Sequence, residues 1–316
     1  MTWAVIGGSG ALPMAAAFAP AELPPNRFGE PAAGACRGVI AGRDVLYLPR
    51  HGRPRHLAPH LVNYRANLEA LRAAGVRGVV GLNTVGGIGP SAATGAILVP
   101  DQLIDYTWGR EHTFAEPDRL LHVDFAEPFD AALRRRLLDA AARAGLAAVD
   151  GGVYGATQGP RFETAAEIER MARDGCDLVG MTGMPEAALA REAELDYAMV
   201  SLVVNPAAGR AENPFDMAAI QANTSMPMLQ CRKVGITLSR MWSCWPSANS
   251  SSCCTAAVNV DCSALISLAD AALPVGISIN SLWSLAARYW VTKLMPQAAS
   301  NGRISTVGIR PDSTHL

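Results

Sequence analysis

Four short polar sites each stand at or just after the end of an apolar run, and their residue types suit the binding of an anion. The run Trp3 to Ile6 ends in Gly7-Gly8-Ser9-Gly10. A glycine turn after a strand can cradle phosphate with backbone N–H groups and, here, with the Ser9 hydroxyl; a plain tight turn would use the same glycines. The run Val45 to Leu48 leads through Pro49 to Arg50-His51-Gly52, where a guanidinium can grip phosphate through two N–H groups. Arg53, Arg55 and His56 follow, and the same cluster also reads as a solvated basic loop. Asn83-Thr84 and Thr182 add neutral donors at the ends of two further apolar runs. Phosphate held by one arginine and several neutral donors keeps the charge it needs to attack, so this set suits phosphate as a reactant.

Other phosphate chemistry fits less well. Gly8-Ser9-Gly10 runs into Ala11, Leu12 and Pro13, without the third glycine of a dinucleotide fingerprint, and no Gly-Lys-Ser/Thr follows the turn. Cys231, Cys244, Cys253, Cys254 and Cys262 show no Cys-x-x-Cys spacing, so neither a metal nor an organic cofactor is expected.

The elements that position these residues alternate. Strands are predicted at Trp3 to Ile6, Val45 to Leu48, Gly78 to Leu82, Leu178 to Met181 and Ala198 to Val204. Helices are predicted at Asn63 to Ala74, Ala131 to Ala144, Thr164 to Met171 and Glu186 to Glu192, several with apolar residues at spacings of three and four. Such alternation predicts an α/β fold around a largely buried sheet, with ligands at the carboxyl ends of strands.

The chain of 316 residues carries a formal charge of −1, which offers no bulk attraction to nucleic acid or to an anionic membrane. That figure sums two unlike parts. Residues 1 to 220 hold 20 Lys/Arg, 25 Asp/Glu and only three serines, whereas residues 221 to 316 hold seven Lys/Arg, three Asp/Glu and fifteen serines. Glu212 is the last glutamate, and the helical periodicity fails after about Ile220. These coincident changes read as an out-of-frame tail over 221–316; an added interaction domain is the alternative. Neither a signal peptide nor a membrane span is read in the sequence, so a cytoplasmic enzyme is expected.

The clusters together carry a resemblance. Arg50-His51-Gly52, Val62-Asn63-Tyr64-Arg65-Ala66-Asn67, Gly159-Pro160-Arg161-Phe162-Glu163-Thr164, Gly180-Met181-Thr182-Gly183-Met184-Pro185-Glu186-Ala187 and Asn205-Pro206-Ala207-Ala208-Gly209 stand in that order. They resemble the trimeric purine nucleoside phosphorylases, within them the methylthioadenosine and methylthioinosine phosphorylase branch, over about residues 2 to 220.

The resemblance implies a single-domain α/β fold with a mixed sheet and flanking helices, a homotrimer, and a pentosyltransferase that uses a nucleoside and inorganic phosphate. By the same resemblance, phosphate would meet Ser9, Arg50, His51, Asn83, Thr84 and Thr182. Met181 would lie against the ribose and Phe162 against the purine, whose polar edge would meet Glu163 and Asn205, with Pro206 and Ala207 beside it. Met217 and Ile220 would approach the ribose 5′ carbon, where their apolar side chains suit a methylthio group; as helix-core positions they would look the same. His122 would reach the site of a neighbouring subunit, or else be an ordinary loop histidine.

Adenine-specific relatives carry Asp and Ser where this chain has Asn205 and Glu163. The expected reaction is therefore phosphorolysis of S-methyl-5′-thioinosine. Methylthioadenosine phosphorolysis, a general 6-oxopurine nucleoside phosphorylase, and a protein inactivated by its altered C-terminus are the alternatives.

Overall fold

The computed structural model describes residues 2–8, 18–40, 42–54 and 56–210. Ser9, Met217, Ile220 and the 221–316 segment lie outside them. The described elements run β1 (Thr2–Gly7), β2 (Ala19–Pro20), β3 (Cys36–Ile40), β4 (Arg43–Pro49), α1 (Tyr64–Ala73), β5 (Val76–Gly87), β6 (Ile97–Val99), β7 (Gln102–Asp105), α2 (Ala131–Arg143), β8 (Ala148–Asp150), β9 (Val153–Ala156), α3 (Ala165–Arg173), β10 (Leu178–Gly180), α4 (Gly183–Glu192) and β11 (Asp196–Pro206). The predicted strands and helices all appear. The strands β2, β3, β6, β7, β8 and β9 were not expected; several are two or three residues long, too short for a period-two pattern to show.

Alternation along the central strands divides the core between two faces. Ala4, Ile6, Leu46 and Leu48 face a cluster that includes Leu68 and Leu71 of α1 and Leu189 and Ala190 of α4. Trp3, Val5, Val45 and Tyr47 face Leu133, Leu137 and Ala140 of α2. A third cluster joins Ile168 and Met171 of α3 to Cys176 and Val179. The sheet is mixed: β1 lies parallel between β4 and β5, while β10 runs antiparallel to β5 and parallel to β9.

β5 organises the site. Along one edge it pairs with β11, from Gly78 opposite Asp196 to Gly87 opposite Pro206. Its other edge is taken by β1 up to Leu82, opposite Gly7, and is taken up again by β10 at Gly86, opposite Val179. Between these two pairings no described strand covers Asn83 to Val85 on that edge. The sheet therefore opens where one partner strand stops and another begins, the sort of crevice in which α/β folds hold ligands. On β11 the register shifts between Val203 and Asn205, so that Val203 stands opposite Val85 and Asn205 opposite Gly86. Such a bulge re-aims the side chains that follow it.

Candidate functional site

The polar clusters expected from the sequence gather around this opening. Gly8 donates its N–H to Leu82 O at 3.1 Å, and Arg50 donates its N–H to Gly7 O at 2.9 Å. The glycine turn, Arg50 and the start of the β5 opening are thereby tied together. The Arg50 side chain is 1% exposed and forms an ion pair with Glu186 of α4, Nε to Oε2 at 2.6 Å and Nη2 to Oε1 at 2.8 Å. Nη1 donates to Leu82 O at 3.1 Å and Nη2 to Ile6 O at 3.4 Å. The two-point grip on phosphate expected of Arg50 is therefore corrected, because that edge of the guanidinium is occupied by a carboxylate. Among the described residues, four of its five N–H groups have these partners and one on Nη1 is left, and Nη1 lies 3.3 Å from where a Cβ on Gly8 would stand.

Glu186 was not singled out in the sequence, although it stands in the motif after Thr182. It is fully buried, and it also accepts the Tyr197 hydroxyl at 2.8 Å. The pair fits beneath β5 because residue 81 is glycine: a Cβ there would come within 2.5 Å of the Tyr197 hydroxyl and 3.2 Å of Glu186 Oε1. Burial acts to lower the Arg50 pKa, but the Glu186 carboxylate outweighs it and the net shift is upward. Burial and the Glu186 charge push Tyr197 upward, so it remains a donor.

His51 is buried beside Arg50, with Nδ1 2.8 Å from Leu57 O and its ring stacked on His56 at 4.7 Å. A carbonyl can only accept, so Nδ1 carries the proton and Nε2 holds a lone pair. Burial first, and the Arg50 charge second, push His51 down to about 4. At neutral pH it is an uncharged imidazole.

Asn83 departs from expectation. Its Oδ1 accepts from Ser201 Oγ at 2.8 Å and its Nδ2 donates to Met199 Sδ at 3.4 Å, which commits the side chain to the β5–β11 interior. Thr84 is half-buried, and among the described residues its hydroxyl has no such tie. Thr182 is buried before α4 and does not cap its helix with its side chain; its N–H and that of Gly183 each donate to the Tyr154 hydroxyl at 3.3 Å.

On the far side of β10, Thr157 donates its N–H to Gly180 O at 2.8 Å and its hydroxyl to Glu163 Oε1 at 2.6 Å. Glu163 is half-buried and Phe162 is 43% exposed. The capping box of α3, Thr164 with Glu167, begins at the next residue and anchors this loop. Asn205 is half-buried after the register shift and donates Nδ2 to Pro206 O at 2.7 Å. Among the described residues, one N–H and the amide oxygen have no partner. Pro206 is exposed, Ala207 is buried, and Met181 is half-buried with its carbonyl accepting from Arg110 at 2.9 Å.

Thr84 thus lies on the uncovered edge of β5, Arg50 is bonded to Gly7 O and Leu82 O where that edge begins, Thr182 follows β10, which takes the edge up again, and Asn205 pairs with Gly86 on the other side. His122 is left exposed on the loop between β7 and α2. Arg110, buried and bonded to the Thr157 and Met181 segments, gave no signal in the sequence because its partners are mostly backbone carbonyls. Among the described residues no group of three or more His, Cys, Asp or Glu is placed to hold a metal ion. No described helix is long and apolar enough to cross a membrane.

Comparison with known proteins sets this arrangement in a lineage. A probable S-methyl-5′-thioinosine phosphorylase of Pseudomonas syringae pv. tomato is 50% identical over 244 residues, covering 76% of this chain and 98% of its own. An S-methyl-5′-thioadenosine phosphorylase of Mycobacterium tuberculosis is 45% identical over 208 residues, 66% of this chain and 76% of its own. The crystal structure of methylthioadenosine phosphorylase from Schistosoma mansoni in complex with adenine matches with a TM-score of 0.73 at 29% identity, covering 78% of this chain and 93% of its own. The Phosphorylase superfamily matches residues 2–236, running past residue 220, and with the mixed α/β sheet opening at the end of β1 it leads to one conclusion: the chain belongs to that superfamily.

Proposed function

We propose that the protein is an S-methyl-5′-thioinosine phosphorylase, converting methylthioinosine and inorganic phosphate reversibly to hypoxanthine and 5-methylthioribose 1-phosphate. The observation that carries this reading is the pair Glu163 and Asn205. Glu163 accepts a hydrogen bond from the Thr157 hydroxyl on one oxygen, and its other oxygen suits the N1–H that a 6-oxopurine has and adenine lacks. Asn205 keeps one N–H for a purine O6 and an oxygen for N7–H, once its second N–H is bound to Pro206 O. A 6-aminopurine would set donor against donor at Asn205.

In this reading a phosphate oxygen forms a bond to C1′ as the bond from C1′ to purine N9 breaks. The sugar passes through an oxocarbenium-like state beside the phosphate anion, and the purine leaves with negative charge that protonation at N7 relieves. Arg50 carries its counter-charge in Glu186, so the pair presents a directed N–H rather than a full positive charge. Phosphate therefore keeps its nucleophilic charge, while Thr84, Thr182, Ser9 and backbone N–H groups fix its orientation. Uncharged His51 offers Nε2 as an acceptor for the hydroxyl of a singly protonated phosphate. Phe162, still 43% exposed, supplies a face for the purine. His122 reaches across to a neighbouring protomer of a homotrimer, Met217 approaches the methylthio group, and the enzyme works in the cytoplasm.

Release of base from methylthioinosine, methylthioadenosine and inosine, each with and without phosphate, tests the reading. Preferential turnover of methylthioinosine, lost when phosphate is omitted, is expected. Preference for methylthioadenosine, or turnover unchanged without phosphate, overturns it.

A further inference from the structure

Arg110 follows β7 by five residues and is 8% exposed. Its Nε donates to Gln158 Oε1 at 3.1 Å, Nη1 to Met181 O at 2.9 Å and Met184 O at 2.6 Å, and Nη2 to Thr157 O at 3.1 Å and Gln158 O at 2.7 Å. With the Tyr64 hydroxyl, a longer contact at 3.5 Å from Nη1, the five N–H groups of the guanidinium face six neutral oxygens, and none of these partners is a carboxylate. Burying a cation against neutral dipoles and the face of one aromatic ring, Tyr64 at 5.7 Å, is a costly way to fill a core, since an apolar side chain would avoid the desolvation. What the planar fork adds is simultaneous reach in fixed directions, which neither an apolar group nor the single point charge of lysine supplies.

Those directions join two segments that are not adjacent in sequence. One is the turn after β9, where Thr157 is held at both its backbone groups, by Arg110 at the carbonyl and by Gly180 O at the N–H, and aims its hydroxyl at Glu163. The other is the turn from β10 into α4, where the Met181 and Met184 carbonyls bracket Thr182. We infer that Arg110 is a positioning residue: it sets the base-reading Glu163, through Thr157, in register with the sugar- and phosphate-facing turn at Met181 and Thr182. It thereby contributes to the preference for 6-oxopurines without touching substrate. The inference rests on the proposed function for its effect on specificity, but its structural half stands by itself.

The full chain with Arg110→Lys and, separately, Thr157→Val provides the test. Hydrogen exchange read by mass spectrometry needs no substrate. Arg110→Lys is expected to lose protection in both 153–164 and 178–187 while α2 and the β1–β4 ladder remain protected. The ratio of kcat/KM for methylthioinosine to that for methylthioadenosine is expected to fall about tenfold in both variants, as loosening one base hydrogen bond implies. Loosening of only one segment or of neither, loss of protection throughout the chain, or an equal fall for both nucleosides overturns the inference. If the wild type acts on neither nucleoside while both segments loosen in Arg110→Lys, the clamp is upheld and the functional reading alone falls.

Discussion

Asn205 and Glu163 discriminate by what they can donate and accept, and each can be tested by one exchange. Asn205→Asp removes the donor and sets a carboxylate against a purine O6. It should lower kcat/KM for methylthioinosine roughly 10- to 100-fold, from a mismatch of about 1–3 kcal/mol, and raise it for methylthioadenosine; steady-state rates on both nucleosides check this. The Arg50–Glu186 pair is a matter of stability. With both partners about 1% exposed, Glu186→Ala leaves an uncompensated buried cation and should cost about 3–5 kcal/mol in urea unfolding. His51 makes stability pH-dependent. Its pKa is about 4 in the fold and 6.5 ordinarily, so between those values the unfolded chain binds the extra proton. The contribution is whole above about pH 6.5 and is lost as pH falls toward 4, by on the order of 2–3 kcal/mol. His51→Gln should flatten that part of the stability profile, whereas retention of the full slope would assign it to other groups.

At the scale of elements, the site depends on where strands and helices begin. Thr164 caps α3 directly after Glu163, accepting from Glu167 N–H at 3.1 Å while the Glu167 carboxylate accepts from Thr164 N–H at 2.7 Å. Thr164→Ala should cost about 1 kcal/mol of stability. It should also raise KM for the nucleoside more than for phosphate, because the end released is the one next to the base; a matching rise for both would place the effect elsewhere. Much of this arrangement was legible in the sequence. The runs at Trp3, Val45, Gly78, Leu178 and Ala198 each end in polar residues, and the strands deliver those residues to one crevice. What was not legible are the contacts made by backbone. The open edge of β5 between Leu82 and Gly86 exists because β1 stops and β10 starts, a pairing no local pattern encodes. Arg110 carries no sequence signal for the same reason, and Arg50 reads as a two-point phosphate grip because nothing local marks Glu186, 136 residues away, as its partner.

For the whole molecule, the exposed position of His122 and the superfamily membership motivate a trimer with shared sites. Sedimentation should give three times the 33.2 kDa chain mass. Mixed assemblies of His122→Ala and Glu163→Ala chains should recover activity that neither variant has alone, since some sites would then draw both intact residues from different protomers. Failure to recover, with mixing verified, would remove His122 from the site. We further propose that the serine-rich, glutamate-free segment 221–316 is read out of frame over its part beyond the superfamily match, which ends at residue 236. Resequencing the DNA from the codon for residue 218 through the end of the reading frame checks this, and an intact frame refutes it. The register shift at the end of β11 bears on how such a protein could change its substrate. One residue more on β11 than on β5 separates Val203 from Asn205, and side chains alternate along a strand. Loss of a single codon there would turn the base-reading amide to the opposite face while leaving every side chain of the crevice encoded. Length at this strand end therefore matters for a reason that has nothing to do with the chemical identity of the residue inserted.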